Sequence, residues 1–311
     1  MPFRLAFRDH NVVVFTLHEA AERGYSRAAV DEKVTKNQWS RVCRGAFATT
    51  PLSRFYREER HVISVAGALV VSEPEWRASS WSALAVHGLP LVGHDLRRVH
   101  LSRHAEKFAF RSYDTRIKIE CPLGPEDLGE AQDIPTVSPA SALAQFARQA
   151  SFKSAVVALD ASLHRKLISR EAVGERLQLR GGNGLPRARA AVDFADARSE
   201  SPGESILRVL LFLHGFPTPI PQYCIHDGEG PTIYVADLYR AEGNLILEFD
   251  GKGKFDSSEN PPSSYTQFDR QRDRDYGLVT RGYRDMHVTW SDLRDEALLI
   301  ARIRKLLEVA A

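Results

Sequence analysis

The chain is poor in cysteine. Its 311 residues hold three, Cys43, Cys121 and Cys224, far apart and with no C-x-x-C pair. That spacing argues against a structural zinc site and against a disulfide framework, and reduced core thiols are expected. No apolar run approaches the roughly 20 residues of a membrane-spanning helix. The first residues, MPFRLAFRDH, lack the charged-then-apolar order of a signal peptide, so a cytoplasmic location is expected. There is no P-loop, no dinucleotide-binding glycine fingerprint, no serine nucleophile elbow and no HExxH helix. Internal repeats and low-complexity tracts are also missing. His100 and His104 have no acidic partners in the sequence around them, His87 in AVHGLP reads as a turn or core residue, and the four tryptophans read as core.

What is present is an ordinary globular composition, 43% hydrophobic and 26% charged, with an uneven distribution of charge. Residues 1–50 hold 8 Lys/Arg against 5 Asp/Glu, whereas residues 198–311 hold 14 against 18. A basic head suits a phosphate backbone. An acidic tail is either a solvated surface or a source of clustered carboxylates. The length fits two or three domains.

The segment FTLHEAAERGYSRAAVDEKVTK, residues 15–36, reads as two short helices. Thr16 and Glu19 form a capping-box pattern, Gly24 breaks the first helix and Ser26 caps the second. Alternation through Trp39, Arg41, Val42 and Arg44, turning at Gly45, follows as a β-wing. A helix, a tight turn and a second helix make the helix-turn-helix pattern. From 51 to about 197 the pattern is mixed α/β. A helix-like period covers 54–70 and a short helix ends at Gly88. Strands are expected at 96–101, 109–112 and 116–121, and helices at 138–149, 151–164, after Ser169 and near 186–196. A third region begins at Pro202. It reads as a helix from Glu204 to about His214, strands near 220–226, 232–239 and 244–250, a loop over 256–264, a helix over 266–281, a strand over 286–290 and a final helix over 295–309. That order predicts an α/β domain with a mixed sheet.

Three acids stand at informative places in that last region. Asp237 ends one strand in IYVADLYR; Glu248 and Asp250 end the next in LILEFDGKGKF. The intervening Ala241–Asn244 is a natural hairpin turn, so Asp237 and Glu248 face each other across it. Glu248 and Asp250, two apart, share a strand face. Glu204, in the first turn of the preceding helix, reaches toward the same spot. Converging carboxylates repel unless a cation lies between them, and their hard oxygens suit Mg2+ or Mn2+. Lys252 and Lys254 follow at once and are candidates to hold a phosphate or stabilise developing charge.

The pattern D-x10-E-x-D-G-x-x-[HK], continued through RQRDRDYGLVTRGYRDMHVTWSDL, resembles the endonuclease-like domain of very-short-patch-repair enzymes within the PD-(D/E)xK superfamily, over residues 198–311. The resemblance implies a restriction-endonuclease-like α/β domain. Carried over by position, Asp237 and Glu248 look like metal ligands, Glu204 resembles the helix acid, and Arg272 or Arg274 would touch phosphate. Together with the reading of the residues themselves, Glu204, Asp237, Glu248 and Asp250 are the expected metal ligands and Asp237, Glu248, Asp250, Lys252 and Lys254 the expected catalytic groups. The superfamily often has a lysine where this chain has Asp250. The front of the chain resembles the AbiEi family of type IV antitoxins through FTLHEAAERGYSRAAVDEKVTKNQWSRVCRGAFA, SSWSALAVHGLPL and IPTVSPASALAQFAR. That resemblance implies an N-terminal winged helix-turn-helix over 1–50 and an AbiEi-like middle α/β domain over 51–197. Ser26, Arg27, Asp31, Lys33 and Lys36 are the polar candidates of the helix that would enter the major groove, and Arg41 and Arg44 those of the wing. Two functions follow. One is a Mg2+-dependent DNA endonuclease or nickase directed by the winged helix, in defence or repair. The other is an antitoxin-like transcriptional repressor with an inactive nuclease fold, whose partner is a nucleotidyltransferase-like toxin.

Overall fold

The computed structural model of the protein describes residues 1–8, 10–179, 183–226, 232–251, 278 and 280–308. Over these described residues it is a mixed α/β structure with three sheets, and the chain divides into two units, Met1–Ala195 and Asp196–Ala311. The stretches expected as a winged helix and a middle domain therefore fall, up to Ala195, within one unit. Among the described residues no helix is long and apolar enough to cross a membrane.

The first unit opens with a hairpin absent from the sequence expectations. Strand β1 (Phe3–Ala6) pairs antiparallel with β2 (Asn11–Thr16), a run of β-branched and aromatic residues. Thr16 ends the strand and caps α1 (Leu17–Ala21). Its hydroxyl accepts from the Glu19 N–H, and the Glu19 carboxylate accepts from the Thr16 N–H at 2.8 Å, as the capping box predicts. Gly24, at φ +81°, closes that helix. The Ser26 hydroxyl accepts from the Ala29 N–H and starts α2 (Arg27–Thr35). Strands β3 (Ser40–Cys43) and β4 (Ala46–Ala48) form the next hairpin, completing a sheet in the order β1-β2-β4-β3. Phe15, Ala20, Val30 and Phe47 form the core between sheet and helices, and the Trp39 ring packs edge-on to Phe15 at 5.1 Å.

The remainder of this unit is built on α3 (Arg57–Val70), α4 (Ser80–Val86) and a six-stranded sheet in the order β7-β8-β6-β5-β10-β9. Its strands are β5 (Arg77–Ala78), β6 (Val99–His104), β7 (Ala109–Ser112), β8 (Arg116–Cys121), β9 (Leu128–Ala131) and β10 (Ile134–Val137). Helices α5 (Pro139–Gln149), α6 (Phe152–His164), α7 (Arg170–Gln178) and α8 (Leu185–Phe194) follow, the first three capped by Ser138, Ser151 and Ser169. Two histidines lie in the core of this region. His61 donates from Nδ1 to the Leu96 carbonyl at 2.8 Å and accepts from the Ser82 hydroxyl at Nε2. His100 is fully buried, and its Nδ1 lies 2.7 Å from the Ser79 hydroxyl.

The second unit begins with α9 (Pro202–Leu213), whose Ile206, Leu207, Val209, Leu210 and Leu211 are buried. Strands β11 (Ile220–His226), β12 (Thr232–Arg240) and β13 (Leu245–Asp250) form an antiparallel meander, and β14 (Arg284–Thr289) adds parallel to β13. The sheet is mixed, as the element order predicts. Parallel pairing needs a long crossover, and the 33 residues from 251 to 283 separate the two strands. The expected loop over 256–264 and most of the expected helix over 266–281 lie outside the described residues. Trp290, expected at a strand end, instead opens α10 (Trp290–Arg294), because Thr289 and Asp292 make a capping box there. Helix α11 (Glu296–Glu308) ends the described chain.

Candidate functional site

The acidic site is assembled where β12 and β13 part. Their register runs Arg240↔Leu245, Tyr239↔Ile246 and Leu238↔Leu247. One step further on, Asp237 and Glu248 take over from the ladder. The Asp237 N–H donates to Glu248 Oε1 at 3.4 Å, and the Phe249 N–H donates to Asp237 Oδ2 at 2.9 Å. The Ala241–Asn244 turn that aims the two strands uses positive φ at Gly243 and Asn244.

Glu204 joins from the first turn of α9. Ser201 caps that helix by accepting from the Glu204 N–H, and the Glu204 carboxylate accepts in turn from the Glu200 N–H at 3.0 Å. The Gln222 amide lies 3.4 Å from the same oxygen. Gly203 lets this turn rest on the ring of Phe249: a Cβ there would fall 2.1 Å from a ring carbon. Glu204 and Glu248 are 5% and 6% exposed. Burial is the main reason both carboxyls sit above their usual range, Glu248 at about 7, and the charge of Asp237 pushes both the same way. The Tyr234 hydroxyl bonds to Glu248 and partly opposes that rise.

Asp250 takes a different place from the expected one. Its carboxylate binds His287 Nδ1 at 2.8 Å, while Asp285 binds Nε2 at 3.1 Å. The Asp285 hydrogen bond and charge, seconded by those of Asp250, hold the His287 imidazole up at about 9, so it is a cation at neutral pH. His287 is the register partner of Glu248. The four expected metal ligands are thus divided. Glu204, Asp237 and Glu248 are neighbours, and Asp250 is engaged by an imidazolium. Among the described residues, no three His, Cys, Asp or Glu side chains are grouped so as to hold a metal ion. Lys252, Lys254, Arg272 and Arg274 lie outside the described residues.

His287 and Asp285 were missed in the sequence. Their spacing in RDMHVT puts them on one strand face, a signal that was available. Their meeting with Asp250 depends on the parallel pairing of β13 and β14, across 37 positions, and that pairing has no local signature.

At the N-terminal surface, the candidate nucleic-acid contacts are mostly exposed and mostly paired. Ser26 has its hydroxyl in the cap of α2. Arg27 and Arg41 approach the same acid, Asp31, at 3.8 and 3.5 Å. Lys33 sits 5.1 Å from the centre of the Trp39 ring and 3.4 Å from the Gln38 side-chain oxygen, and Lys36 pairs with Glu32. Arg44 is exposed at the turn of the β3–β4 hairpin. Exposed pairs of this kind contribute little, so phosphate can displace them at small cost.

Comparison with known proteins gives relatives without a described activity. Two uncharacterized proteins of Mycobacterium tuberculosis, from strains CDC 1551 / Oshkosh and ATCC 25618 / H37Rv, are each 33% identical over 114 residues, which is 36% of this chain. The match spans 42% of each relative's own length. No family model matches the chain.

Proposed function

We propose that this protein binds DNA and that its second unit is a Mg2+- or Mn2+-dependent endonuclease or nickase of the PD-(D/E)xK type, directed by an N-terminal winged helix and working in defence or repair. The observation that carries this reading is the trio Glu204, Asp237 and Glu248 at the parting of β12 and β13. Two of the three are buried with raised carboxyls, and Asp237 adds negative charge beside both. A cation offsets that arrangement better than water does. One or two of these carboxylates would hold the ion, since the three are not grouped as a closed ligand set. Magnesium commonly uses only one or two carboxylates, with water and substrate phosphate completing its shell, so a closed protein cage is not required. When bound, such an ion activates water and neutralises charge on the phosphate. His287, fixed by Asp250 and Asp285, supplies positive charge beside the acids from the neighbouring strand.

Incubation of the purified chain with supercoiled plasmid and Mg2+ or Mn2+ tests this directly. Cleavage by the parent and loss of at least 100-fold in Asp237→Ala and Glu248→Ala are expected. Equal cutting by parent and variants removes the assignment. Arg27→Ala, Lys33→Ala and Arg44→Ala together should weaken duplex binding and flatten its salt dependence, because each lost phosphate contact removes about one unit of slope.

One observation favours a second reading. The expected lysine position carries Asp250, already bound to His287, as suits an inactive nuclease fold in an AbiEi-like repressor. Tight binding to the protein's own promoter, with plasmid left intact in either metal, would establish that alternative. A neighbouring reading frame for a nucleotidyltransferase-like toxin would add to it.

A further inference from the structure

The second unit is acidic in sum, yet its cations are not scattered evenly. A cavity of about 700 Å3 lies between β14 and the last turns of α11, lined by Arg284, His287, Arg302 and Lys305 with Asp285 as its lining acid. Arg302 and Lys305 are three apart on the helix and so present one face, and both are exposed. Leu299, Ile300 and Ile303 of α11 are buried. The Arg284 guanidinium donates to the Leu306 carbonyl, which ties the end of the helix to the strand and gives the groove a fixed wall. Arg302 donates through one nitrogen to Asp292. A guanidinium has five N–H donors, so this bond does not exhaust it.

The groove reaches the Asp250, His287 and Asp285 cluster that adjoins the acidic trio. His287 and Asp285 belong to both, and β14 lies beside β13, with His287 in register with Glu248. Neighbouring strands are about 4.8 Å apart. The β14 wall of the groove therefore lies one strand beyond Glu248. A cluster of acids by itself repels a polyanion, so a phosphodiester chain needs an anchor at this distance.

We infer that the groove between β14 and α11 binds the sugar-phosphate backbone of a DNA strand, with Arg302 and Lys305 each taking one phosphate beside the acidic site. The inference rests on the nuclease reading of that site for its role, but its own claim is a binding claim and needs no cleavage. Arg284 shapes the groove, and Arg302 and Lys305 supply the charge.

The test uses the full chain in EDTA with a fluorescein-labelled 20-base-pair duplex, followed by anisotropy from 50 to 300 mM KCl. The background carries Arg27→Ala, Lys33→Ala and Arg44→Ala, so that the N-terminal contribution is small. Adding Arg302→Gln and Lys305→Gln should lower the slope of log K against log salt by about 1.8, the value for two phosphate contacts. The charge-conserving pair Arg302→Lys and Lys305→Arg should keep the parent slope, which separates lost charge from lost folding. An unchanged slope in the Gln pair overturns the inference, as does equal loss in the charge-conserving pair. Vesicles with 30% phosphatidylserine form a second arm: tighter binding to them than to duplex, lost in the Gln pair, would make this a membrane-facing surface and also overturn it. Failure of the nuclease reading looks different, as no cutting in Mg2+ or Mn2+ with the slope change intact.

Discussion

Glu248 is placed against its own ionisation. Its folded carboxyl titrates near 7, mainly because it is buried, against a usual value of 4.5. Between those two values the folded state holds a proton that the unfolded chain has released. Stability is therefore full below about pH 4.5 and falls as pH rises through 7. Glu248→Gln removes that loss. The variant should be more stable than the parent at pH 8, by on the order of 1–3 kcal/mol, and should not cleave DNA. Urea melts at pH 5 and pH 8 check it: the advantage must be larger at pH 8. The buried histidines work in the opposite direction. Burial holds His61 at about 4 and His100 at about 3, below the usual 6.5. Above pH 6.5 both states are neutral, and below it only the unfolded chain takes the protons, so stability drops as pH falls toward 4. The stability difference between parent and His61→Asn should accordingly shrink between pH 7 and pH 4.5, by roughly 2–3 kcal/mol. A constant difference over that range would show that His61 does not stay neutral in the fold.

Among the elements, α9 and β13 are coupled through Gly203. A Cβ there would meet three atoms of the Phe249 ring within 2.3 Å. That ring is 4% exposed and packs edge-on against Trp290, so it has little room to retreat. Gly203→Ala should cost roughly 1–3 kcal/mol in a denaturant melt, although alanine is the better helix former. A neutral result would mean that the helix shifts freely on the sheet. Much of the element layer was legible in the sequence. Thr16 with Glu19, Ser26, Ser138, Ser151 and Ser169 mark helix starts through a local exchange of hydrogen bonds, and local rules reveal such starts. The three strands of the meander showed in their apolar runs and in the Ala241–Asn244 turn. What stayed hidden depends on partners far along the chain. The β1–β2 hairpin has no strong turn dipeptide, and β5, two residues long, is too short for a period to register. Asp250 looked like a ligand because its strand face is a local property, whereas its partner His287 is set by β14.

At the scale of the whole molecule, the chain is two units, and each has its own sheets and core. A fragment of Met1–Ala195 should fold alone, with a single cooperative thermal transition and the far-UV spectrum of a mixed α/β protein. Non-cooperative melting would show that the division in contacts is not one in stability. The sequence suggested a boundary near 197 from Pro202, Gly203 and the new apolar helix. It also suggested one near 50, where the change from helices and wing to mixed structure falls inside a single unit. Composition changes at that point, but burial is continuous: α3 packs against β2 and β3 as well as α4.

Asp237 accepts the amide proton of Phe249 at the point where strand-to-strand bonding ends. That amide is thus a built-in reporter. Its exchange with deuterium should be slow while the carboxylate remains seated. It should quicken when substitution or a competing ligand draws that carboxylate away, so the state of the centre can be followed at one backbone position in the absence of any substrate.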